Sequence, residues 1–176
     1  MEGVDSIFIH PNMGDGGCGT GAALAEFAGT EPTRNRINDV YYGPEYSSDE
    51  IVEALKRAGL PFTRYTPIEP KVAMLLAAGK VVARFTGRME YGPRALGHRS
   101  ILYHAKEPAV NQWLNQRLGR TEFMPFAPST LYEHRQANYK LVEGADYAAQ
   151  FMTITFDCTE SMKRDCPAAV HVDGTA

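Results

Sequence analysis

Residues Lys80 to Leu102 read KVVARFTGRMEYGPRALGHRSIL, and the fold turns on how this stretch is parsed. Lys80 to Thr86 alternates as a strand: Val81, Ala83 and Phe85 share one face, and Lys80, Val82, Arg84 and Thr86 the other. Arg88 extends the second row if the strand continues. After a Gly/Pro-rich loop from Gly87 to Gly97, Arg99 to His104 predicts a second strand. A row of like charges on one sheet face is destabilising unless counter-charge is supplied. Lys80, Arg84 and Arg88 therefore require acids opposite them or a bound anion. The loop adds Arg94 and Arg99, whose guanidinium forks suit phosphate or carboxylate oxygens, the Ser100 hydroxyl, and glycines that permit close backbone approach. The plainer alternative is a solvated charged face with Glu90 pairing to Arg88 or Arg94. Alternation and glycine–proline punctuation favour the anion site.

Outward from this stretch, helices and strands interleave. Ser47-x-x-Glu50 is a capping box opening a helix with Ile51, Val52, Leu55 and Ala58 inward and Gly59 as its stop. Glu69-Pro70 starts another, with Val72, Leu75 and Leu76 at helical spacing and Gly79 ending it. Glu107-Pro108 opens a third to about Leu118, with Val110, Trp113 and Leu114 inward. Ser6 to His10, Val40 to Tyr42, Phe123 to Leu131, Gln150 to Phe156 and Ala168 to Val172 are further strand candidates. Some strands follow one another without a helix, so the class is α/β with α+β character and the sheet is expected to be mixed.

The chain has 176 residues, 44% hydrophobic and 22% charged, enough for one domain with a real core. That composition excludes a disordered tail or a disulfide miniprotein. No window approaches a membrane span, and no basic segment followed by an apolar run marks a signal peptide. Three cysteines without a CxxC pair fit a reducing, cytoplasmic setting. The net charge of −3 conceals an asymmetry: Lys80 to Arg120 holds eight cations against two acids, a net of +6, leaving −9 on the rest. This supports a local site for small anions, and the acidic remainder argues against a long polyanion. The rival reading is an RNA-binding module in which Phe85, Tyr91 and Tyr103 stack bases on a basic sheet.

Gly14-Asp15-Gly16-Gly17-Cys18-Gly19 satisfies GxGxxG, and Asp39 follows about twenty residues on. A dinucleotide site is nevertheless rejected: the first glycine should lie directly at the strand end, and Pro11 to Met13 intervene. The glycines still allow backbone N–H groups to approach an anion, and Asp15 is the loop's carboxylate, a hard oxygen ligand for a metal. A turn with Asp15 as its cap is the plainer alternative.

Three long words carry a family resemblance. GRMEYGPRALGHRSIL (Gly87 to Leu102), NQRLGRTEFMPFAPS (Asn115 to Ser129) and PAAVHVDGTA (Pro167 to Ala176) closely resemble the C-terminal domain of nodulation-type O-carbamoyltransferases, a family that also makes carbamoylated antibiotics. HPNMGDGGCGTGAAL (His10 to Leu24) resembles the closing motif of the domain before it. The resemblance implies a tail of an actin/Hsp70-type (ASKHA) carbamoyl-transfer domain over 1–29, a linker over 30–46, and a YrdC-like domain over 47–176, a twisted mixed sheet with flanking helices. It further implies a piece of a longer enzyme, beginning and ending inside motifs, with overall transfer belonging to the longer protein.

By the same resemblance, the YrdC-like domain converts carbamoyl phosphate and ATP, with Mg, into carbamoyl-adenylate, and an iron-containing N-terminal domain passes the carbamoyl group to an acceptor hydroxyl. Lys80, Arg94 and Arg99 become candidates for catalysis. They join Arg84, Arg88, Ser100, Arg117 and Arg120 in holding carbamoyl phosphate and the ATP phosphates, with His171 and Asp173 lining the same cavity. Asp15 matches the aspartate that helps ligate the metal in the intact protein, whose histidine ligands lie upstream. The implied partners are small phosphorylated molecules and the enzyme's own N-terminal domain, with no membrane.

Overall fold

The structure, a computed structural model, describes residues 3–30, 36–120 and 126–176. It is α+β, and it divides by contact into two units: His10–Tyr103, and Met1–Ile9 together with His104–Ala176. These units group residues by packing and do not follow the divisions at 29 and 46, which concern kinship to two domain families.

The His10–Tyr103 unit opens with a 3-10 turn, Asp15–Gly17, running into helix α1, Cys18–Thr30. Helix α2, Ser48–Arg57, begins where the capping box places it: Ser47 Oγ accepts the Glu50 N–H at 3.2 Å, and Glu50 Oε2 accepts the Ser47 N–H at 2.7 Å. Lysine and arginine in its last turn offset the carbonyl end of the helix dipole. Helix α3, Glu69–Ala77, has its proline in the first turn, where no N–H is missed, and lies against strand β1. Strand β1, Val82–Phe85, pairs antiparallel with β2, Arg99–Leu102. Each strand is shorter than its alternating pattern, because pairing lasts only where both chains run extended. Val40 is buried at the centre of this unit, and its carbonyl accepts the N–H groups of Tyr42 and Tyr91. Val40 to Tyr42 thus anchors the hairpin without forming a ladder.

The other unit holds helices α4, Ala109–Arg117, α5, Arg135–Asn138, α6, Asp146–Ala149, and α7, Glu160–Asp165. Its core gathers Cys158, Met162 and Ala169, with Ala105, Tyr139, Cys166 and Val170 packed against them. Thr159 caps α7 by accepting the Met162 N–H at 3.3 Å. Phe8, Tyr147 and Phe151 form an aromatic triad, with Phe8 stacked on Tyr147 at 4.5 Å and edge-on to Phe151 at 6.4 Å. The Ile7 N–H donates to the Gly144 carbonyl at 2.9 Å, fixing the N-terminal segment there. Ser6 to His10 therefore forms no strand.

Three local expectations are corrected here. Trp113 is 51% exposed. The inward stripe of α4 is Asn111, Leu114 and Asn115, since the Asn111 side-chain amide donates to the Ala168 carbonyl at 2.7 Å. Three-to-four spacing from that contact turns Trp113 to the opposite face. Gln150 to Phe156 is no strand: α6 closes at Ala149, and pairing begins only at its end, where Phe156 exchanges backbone hydrogen bonds with Ala176 and Asp157 and Cys158 bridge Thr175 and Tyr139. Ala168 to Val172 instead begins as a 3-10 turn, Pro167–Ala169, because proline presets its first φ and the alanines carry no β-branch to favour extension. Among the described residues every ladder and bridge is antiparallel. The expected strand Phe123 to Leu131 begins outside the described residues.

Candidate anion-binding loop

The β1–β2 register fixes which side chains share a face. Arg84 stands opposite Ser100, and Phe85 opposite Arg99. The pairing thus places Arg84 and Ser100 on one face and Arg99 on the other. On its own face the Arg99 guanidinium lies 3.7 Å over the Phe85 ring. It donates through Nη1 to the Thr86 and His98 carbonyls, and through Nη2 to those of Gly87 and Pro44. Arg99 therefore clamps the mouth of the loop, with its guanidinium N–H groups directed at four main-chain oxygens.

Between the strands the loop wraps around a carboxylate. Glu90 is 7% exposed, and its Oε1 accepts the N–H groups of Leu96 at 2.8 Å, His98 at 2.7 Å and Arg99 at 3.1 Å. Burial pushes the Glu90 carboxyl up, but its own N–H and those of Leu96, Arg99 and His98 outweigh that and hold it below the usual carboxylate range. The alternative in which Glu90 neutralises Arg88 or Arg94 is not what forms: Arg88 pairs with Glu45 at 3.4 Å across an exposed gap. The Thr86 N–H donates to the His98 carbonyl at 3.1 Å, and the Gly97 N–H to Ser100 Oγ at 2.9 Å. The Ser100 hydroxyl thus serves the loop itself.

Tyr41 braces the loop from outside. Its ring stacks on His98 with centroids 3.7 Å apart, and its hydroxyl donates to the Leu96 carbonyl at 2.9 Å. Burial, then the Glu90 and Asp39 charges, push the Tyr41 phenol up. His98 Nδ1 lies 2.6 Å from the Arg88 carbonyl, and Gly87 sits with φ +48° so close to that imidazole that a Cβ would stand 3.1 Å from it. Asp39, Tyr41, Tyr42, Glu45, Gly87, Arg88 and His98 line an open depression beside the loop.

At the loop's far end, Gly92 adopts φ +96°, and a Cβ there would meet the Pro11 carbonyl at 3.1 Å. The Tyr91 hydroxyl donates to Thr20 Oγ at 2.8 Å, and its ring meets His10 edge-on at 6.1 Å. The glycine-rich segment and the arginine loop are therefore packed together within one unit. In that segment the indispensable glycine is Gly17, whose Cβ would overlap the Asn12 carbonyl. Gly14 and Gly19, the outer glycines of the fingerprint pattern, face open space.

Lys80, Arg84 and Arg94 are exposed, and none of the three forms an ion pair among the described residues. Arg117, Arg120, His171 and Asp173 belong to the other unit. Arg117 ends α4, and Arg120 lies 5.2 Å over the Phe126 ring. His171 and Asp173 close a hairpin turn: the His171 N–H donates to the Thr175 carbonyl at 2.8 Å. The Thr175 hydroxyl and N–H both donate to Asp173 Oδ1, with His171 Nδ1 3.0 Å from the same oxygen. Those bonds, from Thr175 first and then His171, hold the Asp173 carboxyl down to about 2. Asp15 is exposed in its 3-10 turn, and among the described residues no three histidine, cysteine or carboxylate side chains converge on a metal site. No helix among the described residues is long and apolar enough to cross a membrane.

The residues missed from sequence are Glu90 as the loop's internal anchor and Tyr41 as its brace. The available signal was a lone acid inside a cationic, glycine-punctuated loop, where an anion is as useful to the backbone as to a neighbouring arginine.

Residues 73–176, which include the β1–β2 hairpin and its arginine loop, match the carbamoyltransferase C-terminus family. The chain belongs to that family. It is 35% identical over 176 residues to nodulation protein NolNO of Sinorhizobium fredii, covering 97% of this chain and 26% of the relative. Nodulation protein NolO of Bradyrhizobium diazoefficiens is 35% identical over 178 residues, covering 98% and 32%. An uncharacterised protein of Methanocaldococcus jannaschii is 32% identical over 181 residues, covering 98% and 29%. The chain thus spans less than a third of the length of these relatives.

Proposed function

We propose that this chain forms part of an O-carbamoyltransferase and that the loop between β1 and β2 binds carbamoyl phosphate beside the phosphates of ATP. The observation that carries the reading is the exposure of Lys80, Arg84 and Arg94 around a loop in which the Leu96, His98 and Arg99 N–H groups are already taken by Glu90. The cations are thereby left for an external anion, and the family match supplies the reaction class.

In this reading, water attacks the phosphorus of carbamoyl phosphate, the P–O bond to the carbamoyl oxygen breaks, and phosphate and carbamate are formed. A carbamate oxygen attacks the α-phosphorus of ATP, pyrophosphate leaves, and carbamoyl-adenylate forms. An acceptor hydroxyl then attacks the carbamoyl carbon with AMP as leaving group. The cations place the two anions in contact and stabilise the charge that builds on phosphate oxygens. Arg94, at the loop's exposed turn, and Lys80 and Arg84, before and on β1, are the groups assigned to that work. Mg would accompany ATP. Asp15, the single carboxylate of its turn, does not by itself make an iron site.

The RNA reading has less support. The Arg99 guanidinium covers one face of Phe85, and the Tyr91 hydroxyl is tied to Thr20, so two of the three aromatics invoked for stacking are engaged inside the unit.

The test is carbamoyl-phosphate-dependent ATP/pyrophosphate exchange in the full-length protein. Exchange should be present, and Arg94→Ala should lower it by on the order of a hundredfold through loss of one transition-state cation. Absence of exchange, with Arg94→Ala indistinguishable from wild type, would overturn the assignment.

A further inference from the structure

We propose that Glu90 is the positioning residue of the arginine loop, an internal anion whose carboxylate gathers the loop's backbone donors and thereby sets where Arg94 stands. The proposal rests on the anion-binding reading above and goes past it by naming what orients the cation. Glu90 sits at the loop's base, buried, four residues before Arg94. Its single oxygen Oε1 draws in the N–H groups of Leu96, His98 and Arg99, all on the returning side of the loop.

Three donors converging on one carboxylate oxygen form a nest of the kind that elsewhere captures a free anion. Here the occupant is a side chain of the loop itself. Two consequences follow. The nest is filled, so an incoming phosphate does not enter it. Residues 91–95 are also spanned between two points on one carboxylate-bound frame, with Gly92 supplying the positive φ that lets the chain reverse beside Pro11. Tyr41 adds a second fixed point through the Leu96 carbonyl, and Arg99 a third through the Thr86 and Gly87 carbonyls. Arg94 is the cation within that frame, so its backbone position follows the frame.

Charge, and not only shape, is required. An ionised oxygen accepts N–H bonds about twice as strong as a neutral carbonyl does, so an amide in the same place holds the nest more loosely. Displacing a substrate-binding group by even an ångström costs catalysis steeply. Glu90→Gln in the full-length protein should therefore raise the KM for carbamoyl phosphate on the order of tenfold and lower kcat with it, because Arg94 also serves the transition state, with a small fall in Tm from the weaker nest.

A double-mutant cycle separates positioning from general support. If Glu90 acts through Arg94, Glu90→Gln adds little to the KM of Arg94→Ala; if it merely supports the fold, the two effects multiply. Glu90→Asp, which keeps the charge one methylene short, should show the same pattern at smaller size. Multiplicative effects, or a Glu90→Gln enzyme with unchanged KM, overturn the proposal while leaving the anion site standing. An Arg94→Ala enzyme with unchanged KM and exchange overturns the anion site and the proposal with it. If neither Glu90 variant gives folded protein, Glu90 is a folding residue and the positioning role is rejected.

Discussion

Arg99 shows how a residue type can be read correctly for its chemistry and still be directed elsewhere. A guanidinium fork seeks oxygens, and from sequence the oxygens on offer were those of phosphate. In the folded unit they are the carbonyls of Pro44, Thr86, Gly87 and His98, with the Phe85 ring beneath. Planarity is what allows one side chain to serve carbonyls from two separate segments, and lysine lacks it. Arg99→Lys should therefore lower stability by about 2 kcal/mol, from loss of charge-assisted bonds to these carbonyls. Urea unfolding monitored by circular dichroism measures it. An Arg99→Lys enzyme as stable as wild type but with impaired carbamoyl-phosphate binding would return Arg99 to the substrate. The same lesson applies to Glu90, whose three donors lie six, eight and nine residues downstream. No periodicity encodes such a contact, because it is made to the backbone and depends on where the loop closes.

At the scale of elements, the helices were legible where local chemistry decides them. The Ser47–Glu50 capping box, the proline in the first turn of α3, and glycines at positions 59 and 79 with φ +64° and +69° all lie where the sequence places starts and stops. The hairpin was legible from alternation, including the Arg84 face. The segments after Gln150 were not, since short apolar runs fit a turn as well as a strand and only tertiary pairing to Tyr139 and Thr175 chose between them. The loop between β1 and β2 stands apart in being held by an ionised group, which gives it a pH dependence. Glu90 is held below its ordinary value in the folded chain. Its contribution is therefore present in full above the unfolded value of about 4.3 and is lost as pH falls through the lower folded value. The gap in urea midpoint between wild type and Glu90→Gln should be constant near neutrality and shrink below about pH 4.3. A gap that persists unchanged to about pH 3 would mean that charge plays no part in holding the loop.

Across the whole chain, the basic segment from Lys80 to Arg120 is divided by the boundary at Tyr103 and His104. Lys80, Arg84, Arg88, Arg94 and Arg99 fall in one unit, Lys106, Arg117 and Arg120 in the other. Within the first unit the charges are further sorted: Arg99 is turned to carbonyls and Arg88 to Glu45, leaving Lys80, Arg84 and Arg94 exposed and outside any ion pair among the described residues. Three exposed cations suit a small phosphorylated molecule. They do not make a track for a long backbone, and the remainder of the chain carries net negative charge that repels one. Tripolyphosphate should therefore compete with carbamoyl phosphate and ATP in the exchange assay, whereas a single-stranded RNA oligonucleotide at matched phosphate concentration should not inhibit at about 0.15 M salt. Raising the salt should weaken carbamoyl-phosphate binding with a shallow log–log slope, on the order of one to three, because few counterions are released. Inhibition by RNA with a steep slope would show that the exposed cations act collectively on a polymer, and the small-anion assignment would then give way to the nucleic-acid one.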